Sequence, residues 1–272
     1  MPETTIRQAM TRARRLLKGD DARFDTLQLA AHAFGMSTTR LRLEADRLID
    51  PTAYEALTRR RAAGEPLQYL LGQWEFYGLD FLVGPGALIP RPETEMLVEL
   101  AIQYLQAFEA PIVLDLCAGT GCVGLSVARH CPGAQVCLLE LSEEAMPYLT
   151  RNAASYPNAK IIKANILDNS QFSILNSQLI LSNPPYIPTR EIAGLSKEVR
   201  QEPKMALDGG GDGLRFYRAI AEIWRPRLAP GGMLAMECGE GQADSVAALF
   251  PGDQVEILRD FSDIQRVILV RC

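Results

Sequence analysis

No apolar run in these 272 residues approaches the ~18 that would suggest a membrane span, so no membrane association is expected. There is no Cys-x-x-Cys pair, and the two histidines, His32 and His130, stand far apart in the chain. Those two absences argue against a metal site. The six cysteines, at positions 117, 122, 131, 137, 238 and 272, fall mostly in apolar segments, where buried small hydrophobes are the favoured reading. An excess of positive charge is also missing. The net charge is −5, which argues against a chain whose main task is gripping a phosphate backbone. The opening Met1-Pro2-Glu3-Thr4-Thr5-Ile6-Arg7 has neither an apolar h-region nor a small-residue cleavage site, so a cytoplasmic location is expected. No repeat or low-complexity tract interrupts the chain. What remains is a globular protein, 47% hydrophobic and 22% charged, long enough for one or two domains.

Residues 1–73 read as a small helical domain. Ile6, Met10, Ala13 and Leu17 recur at helical spacing, Phe24 to Phe34 form a second apolar segment closed by Gly35, and Asp50-Pro51 opens a helix running to Gly64. Residues 1–75 carry 12 Lys and Arg against 10 Asp and Glu, leaving −7 for the remainder. The clusters Arg12, Arg14, Arg15 and Arg59 to Arg61 are therefore expected to be solvated helix faces. Residues 74–92 read as a β-hairpin linker, with Glu75 to Val83 as the hairpin and Gly84-Pro85-Gly86 as its exit. Arg91 to Glu95 then open a helix carrying Leu97, Leu100, Ala101, Tyr104 and Leu105, and a simple helix cap explains that turn as well as a functional role does.

From residue 93 to 272, strand-like segments alternate with helical ones. The strands are expected at Ile112 to Leu116, Gln135 to Leu139, Lys160 to Lys163, Gln178 to Ser182, Met233 to Cys238, Gln254 to Leu258 and Arg266 to Arg271. Such alternation predicts an α/β, mainly parallel, doubly wound sheet whose ligands sit at the carboxyl ends of the strands.

Two stretches carry chemistry. In Leu179-Ile-Leu-Ser-Asn183-Pro184-Pro185-Tyr186, a buried strand stops abruptly at two prolines, which fix φ and donate no N–H. Backbone carbonyls, the Asn183 side-chain oxygen and the flat Tyr186 ring then suit a planar –NH₂ group. By itself a Pro-Pro dipeptide is more often a strand stop. The second stretch is Asp115-Leu-Cys117-Ala118-Gly119-Thr120-Gly121-Cys-Val-Gly124, with Glu140 closing the next strand 19 residues after Gly121. Glycines allow a tight turn and close approach of a ligand, and an acidic residue at that distance can accept both ribose hydroxyls of a nucleoside. The Gly-x-Gly-x-x-Gly spacing also matches a dinucleotide site, yet the Asp115 carboxylate would repel a pyrophosphate and favour a cationic sulfonium with a free amino group. Ala164-Asn165-Ile166 after the third strand can supply an amide for an adenine edge and an aliphatic contact for its face.

With both stretches in place, the chain resembles class I S-adenosylmethionine-dependent methyltransferases that act on planar nitrogen. Asn-Pro-Pro-Tyr is shared with adenine-N6 DNA methyltransferases. Three flanking stretches look like the release factor glutamine N5-methyltransferases: Gly64-Glu-Pro-Leu-Gln-Tyr-Leu-Leu-Gly72, Leu88-Ile-Pro-Arg-Pro-Glu-Thr-Glu95, and Glu198-Val-Arg-Gln-Glu-Pro203 with Ala206-Leu-Asp-Gly-Gly-Gly-Asp-Gly-Leu214. The resemblance runs from about residue 60 to Arg271. It implies a seven-stranded sheet with the last strand antiparallel, and methylation of the glutamine of the Gly-Gly-Gln motif in class 1 peptide chain release factors. S-adenosyl-L-methionine would be converted to S-adenosyl-L-homocysteine, with no direct nucleic-acid binding and a monomeric chain.

By the same resemblance Asn183, Pro184 and Tyr186 are the catalytic residues, and Pro185, Arg91, Glu93, Thr94 and Glu202 join them against the substrate. The cofactor would lie against Asp115, Cys117, Ala118, Gly119, Thr120, Gly121, Glu140, Leu141, Asn165, Ile166 and Asn183. This sequence departs from the family at Cys117-Ala118, which replace a glycine, at Glu140 for Asp, at Asn165 for an acidic residue, and at Gln178 for Asp. The glycine-rich Asp208 to Leu214 lacks the Lys-Ser/Thr of a phosphate cradle and is expected to be a mobile loop ending in an Asp212 cap. Two other readings share parts of this pattern: an adenine-N6 nucleic-acid methyltransferase, and a non-catalytic adaptor that kept the fold.

Overall fold

The computed structural model describes residues 4–168 and 176–272. The Met1-Pro2-Glu3 start of the expected leaderless N-terminus lies outside the described residues. The chain divides into two compact units, Met1–Gln73 with Ser196–Gln201, and Trp74–Leu195 with Glu202–Cys272.

The first unit is built of short helices, Ile6–Leu16, Ala22–Phe34, Thr38–Leu43, Thr52–Ala62 and Leu67–Leu71. Their ends are set by local chemistry. Thr5 and Gln8 form a reciprocal capping box, Gly35 closes the second helix in the left-handed region, and Ser37 caps the third. Ile6, Ala9, Ala13 and Leu17 turn inward with Leu29, Leu41 and Tyr54, while Met10 is only half-buried. The helix expected to begin at Pro51 begins one residue later. Asp50 accepts from the Thr52 backbone N–H at 3.0 Å and so still caps it. Arg61 breaks the expectation of solvated arginines: its guanidinium, 9% exposed, pairs with Asp25 at 2.6 Å and Glu198 at 2.7 Å. A buried cation needs carboxylate partners, and it has two.

The second unit opens with the expected hairpin, Gln73–Phe76 and Leu79–Leu82, joined through Tyr77 and Gly78. Both turn residues have positive φ, 52° and 72°, as the two central positions of a type I′ turn require. Phe76 and Phe81 from this hairpin are part of the buried core.

Seven strands form one sheet: β1 (Ile112–Leu116), β2 (Gln135–Glu140), β3 (Ala159–Lys163), β4 (Ser177–Ser182), β5 (Leu228–Glu237), β6 (Gln254–Arg259) and β7 (Gln265–Arg271). Their spatial order is β6-β7-β5-β4-β1-β2-β3. Neighbours pair in parallel from β3 through to β5, and β7 runs antiparallel to both β5 and β6. This is the doubly wound sheet with an antiparallel last strand. β5 begins five residues before the expected Met233, because Leu228 already pairs with Ser177 ahead of a register shift.

Alternate residues along the strands feed two cores. Val113, Leu138, Leu179, Leu181 and Leu269 pack on one face beneath helices Glu95–Leu105, Cys122–His130 and Met146–Ala153. Leu114, Leu116, Ile180, Met236 and Ile268 pack on the other, against Tyr217, Ile220, Trp224 and Phe250. Burial on both faces explains why these strands read as nearly continuous apolar runs.

The glycine-rich segment is not the open loop that its composition suggested. Its backbone is stitched to the chain after Tyr186, with Ile187 donating to the Leu207 carbonyl, Gly209 to Ile187 and Thr189 to Gly210, each at 2.9 Å. A Cβ on Gly209 would stand 2.8 Å from both the Cα and the carbonyl carbon of Tyr186. Gly209 and Gly213 let two backbones touch. Asp212 does accept from the Leu214 N–H, at 3.1 Å. Gly209→Ala is expected to lower stability by about 1–3 kcal/mol through overpacking, read as a drop in the urea midpoint. Gly211→Ala, which meets nothing within 4 Å, is the matched control and should stay within about 0.5 kcal/mol of the wild type.

Candidate active site

The sheet order reverses between β1 and β4, and a crevice opens beyond the carboxyl ends of such a pair. Leu116 and Ser182 are register partners at the ends of these strands, and the Ser182 hydroxyl donates to the Leu116 carbonyl at 2.8 Å. The chain therefore leaves β1 and β4 side by side. A cavity of about 250 Å³ lies there.

The β1–helix loop is a run of unusual backbone. Cys117, Gly119 and Gly121 have φ of 62°, 57° and 83°, so the non-glycine Cys117 occupies a conformation that normally favours glycine. The turn is closed by Gly121 donating to the Ala118 carbonyl at 2.7 Å. Gly121 is turned away from the cavity, where a Cβ would press on Leu149 and Leu125, while nothing lies within 4 Å of a Cβ on Gly119. Gly119 is thus the open point of close approach.

Two carboxylates face this loop. Asp115 is 2% exposed and accepts from the Gly124 N–H at 2.9 Å. Burial pushes its carboxyl up to about 7, the Gly124 hydrogen bond opposes this, and the charge of Glu140 adds to the rise. Glu140 is held differently, accepting from the backbone N–H groups of Gly119 at 2.7 Å, Leu141 at 2.8 Å and Ser142 at 2.7 Å. One acceptor site of its carboxylate remains. The Thr120 hydroxyl is buried and has no hydrogen-bond partner among the described residues. Burial pushes the Cys122 thiol up to about 12 and holds that of Cys117 well above its ordinary range, so neither supplies a thiolate. Among the described residues no three His, Cys, Asp or Glu side chains converge as a metal site would need.

Across the crevice, Asn165 caps its own turn, its oxygen accepting from the Leu167 N–H at 3.0 Å, and the buried Trp224 indole holds the Ile166 carbonyl at 2.8 Å. The Asn183 side chain donates through Nδ2 to the Thr94 hydroxyl at 3.1 Å, and that hydroxyl donates to Glu237 Oε2 at 2.5 Å. The Tyr186 carbonyl accepts from Gln242 at 2.9 Å. Burial, with the Glu237 charge adding to it, pushes the Tyr186 phenol up to about 12, so this ring stays neutral.

Of the residues singled out from sequence, Arg91, Thr94, Asp115, Cys117, Ala118, Gly119, Thr120, Glu140, Leu141, Asn165, Ile166, Asn183 and Pro185 line this one cavity. Gly121, Pro184 and Tyr186 adjoin lining residues without being among them, and Glu93 is exposed. Glu202 is buried and does not line the cavity; it accepts from the Ile89 N–H at 3.0 Å and pairs with Arg91. Sequence reasoning passed over Glu237, although a lone carboxylate ending an otherwise apolar strand was a visible signal. It also missed Met205 and Phe216, which complete the wall.

This sheet order, with its crevice after the first and fourth strands, defines a methyltransferase-type domain. A family model described as "Methyltransferase small domain" matches residues 94–214, and one described as "PrmC N-terminal domain" matches residues 8–72. A methyltransferase structure from Pyrococcus furiosus, 18% identical with a TM-score of 0.51 over 72% of this chain and 90% of that one, shares the fold. The release factor glutamine methyltransferase of Geobacter sulfurreducens is 42% identical over 256 residues, 90% of this chain and 88% of the relative. That of Burkholderia pseudomallei is 39% identical, covering 89% of each. The chain belongs to the release factor glutamine methyltransferase family.

Glu202 has a structural test. Glu202→Ala leaves a buried N–H at Ile89 and the Arg91 guanidinium without their acceptor, and should destabilise the protein by about 1–3 kcal/mol in urea unfolding. Glu93→Ala, at an exposed site, should change stability by no more than about 0.5 kcal/mol.

Proposed function

We propose that this chain methylates the side-chain amide nitrogen of the glutamine in the Gly-Gly-Gln motif of class 1 peptide chain release factors. The observation that carries the reading is the orientation of Asn183: with Nδ2 bound to Thr94, its oxygen is the end left for an acceptor amide, and it does so in the cavity that also holds Asp115 and Glu140. The names of the relatives supply the substrate. We assign the helical unit, Met1–Gln73, to release factor recognition, with Arg91 and Glu93 at the cavity's approach. The chain acts as a cytoplasmic monomer without direct contact to nucleic acid.

The residues present fit S-adenosyl-L-methionine. Two carboxylates suit a cationic ligand, the open side of Gly119 admits it closely, Glu140 retains an acceptor for ribose, and the unpartnered Thr120 hydroxyl is available to a polar end. When bound, S-adenosyl-L-methionine would supply an electrophilic methyl group on a sulfonium sulfur, with S-adenosyl-L-homocysteine as the product. An amide nitrogen is a poor nucleophile because its lone pair is delocalised into the carbonyl. The Asn183 side-chain oxygen and the Pro184 backbone carbonyl accept its two N–H bonds and favour the positive charge that develops as the N–C bond forms. Tyr186 presents its ring to the amide plane. One proton is then lost to water, so no dedicated base is needed.

Transfer of labelled methyl to purified release factor, with mass spectrometry of the Gly-Gly-Gln peptide, tests the reading. Label on the glutamine is expected; label on DNA adenine, or on neither, overturns it. Asn183→Ala should reduce turnover on the order of 10²- to 10³-fold, as loss of one preorganised dipole does, with cofactor affinity little changed.

A pH dependence follows from Asp115. A cationic ligand favours the ionised carboxylate, whereas in the free protein this group titrates at about 7. Binding therefore expels a proton at and below that pH, and affinity for S-adenosyl-L-methionine should rise from about pH 6 to about pH 8 and then level off. Calorimetry in buffers of different ionisation enthalpy measures the proton released. Asp115→Asn should weaken binding and flatten the profile.

A further inference from the structure

We propose that Glu237 is a positioning residue that acts through Thr94 to decide which end of the Asn183 amide faces the cavity. The inference rests on the reading of Asn183 given above and assigns a role to a residue that touches neither substrate nor cofactor.

A carboxamide has nearly the same shape in its two orientations, so only its hydrogen-bond partners distinguish them. Thr94 is 2% exposed, and its hydroxyl has one hydrogen to give. That hydrogen goes to Glu237 Oε2, 2.5 Å away. An ionised carboxylate can only accept. With its hydrogen committed, the Thr94 oxygen can only accept from Asn183, which must present Nδ2 to it. The Asn183 oxygen is left for the substrate. The reverse arrangement would set an –NH₂ group against the –NH₂ of an acceptor glutamine, donor against donor.

Glu237 is held for this task. It ends β5, is 2% exposed, and its own backbone carbonyl accepts from the buried Tyr217 hydroxyl at 2.8 Å. Burial raises the pKa of its carboxyl; the Thr94 hydroxyl and the positive charges of Arg266 and Arg91 oppose that rise and favour the ionised form, while Glu93 adds to it. Thr94 in turn sits between a 3₁₀ turn, Pro92–Thr94, and the helix Glu95–Leu105, so its side chain has little freedom to turn elsewhere.

The test uses the full chain with Thr94→Val, which keeps the shape and removes the hydroxyl, Thr94→Ser, which keeps it, and Glu237→Gln, whose amide can offer Thr94 either end. Thr94→Val and Glu237→Gln are expected to lower turnover on the release factor by about 10- to 100-fold, as loss of an outer-shell partner does, with KM for S-adenosyl-L-methionine changed by less than about twofold. Thr94→Ser should restore most of the rate. Because both residues act through Asn183, neither substitution should slow the Asn183→Ala enzyme any further. Equal losses in the two backgrounds, or full turnover in both variants, overturns the proposal. A second measurement needs no substrate: the side-chain amide signal of Asn183 in ¹⁵N spectra, identified by its absence from Asn183→Ala. It should be protected from solvent exchange in the wild type and lose that protection in Thr94→Val and Glu237→Gln. Unchanged exchange overturns the inference. An enzyme that shows the protection but labels no release factor overturns the proposed substrate instead.

Discussion

The level ending of β1 and β4 is the constraint on which the rest depends. Because Leu116 and Ser182 are register partners tied by a 2.8 Å hydrogen bond, the loop that begins at Cys117 and the turn that begins at Asn183 emerge a strand's width apart. Under the proposed function, one would hold the methyl donor and the other the nitrogen that receives it. A one-residue slip would turn Asp115 and the neighbouring side chains to the opposite face of the sheet. The two cores oppose this, since such a slip would move Leu114, Leu116, Ile180 and their neighbours out of their apolar layer.

Around that point three carboxylates are kept in three different states of solvation. Asp115 is buried with a single backbone donor and is correspondingly reluctant to ionise. Glu140 is wrapped by three backbone donors, which organise the loop as well as the charge. Glu237 faces the other way, toward Thr94, and burial raises its pKa while Thr94 and Arg266 oppose the rise. The two carboxylates that the proposed function assigns to a sulfonium ligand are thereby kept on one side of the crevice. The carboxylate on the acceptor side is masked by a hydroxyl and an asparagine, which pass on its polarity.

Most of the architecture was legible in the chain. The central strands could be read because they hold aliphatic runs buried on both faces, while β3 and β6, which lie at the two edges and carry no fully buried residue, are marked by the turn chemistry that bounds them. The cavity residues could be read because a turn with positive φ at Gly119 calls for glycine, and a strand stop at two prolines is hard to mistake. What could not be read depends on contacts remote in sequence. Arg61 looks like any other member of an arginine cluster until Asp25 and Glu198 are brought to it. Gly209 and Gly213 look mobile until the backbone of Tyr186 is laid against them. Glu202 looks like a ligand contact until Ile89 and Arg91 are found to occupy it. Thr94 and Glu237, 143 positions apart, have no local reason to be read as a pair.

The helical unit is discontinuous, taking in Ser196–Gln201 as well as Met1–Gln73. Between the Asn183 turn and Glu202 the polypeptide thus leaves the sheet-bearing unit and returns to it. For exchange of parts between family members, the natural seam is therefore not a single cut after residue 73. A chimaera joined there would inherit a hexapeptide whose Glu198 was matched to another parent's Arg61, so the two halves of this family are expected to evolve and recombine with three junctions, not one.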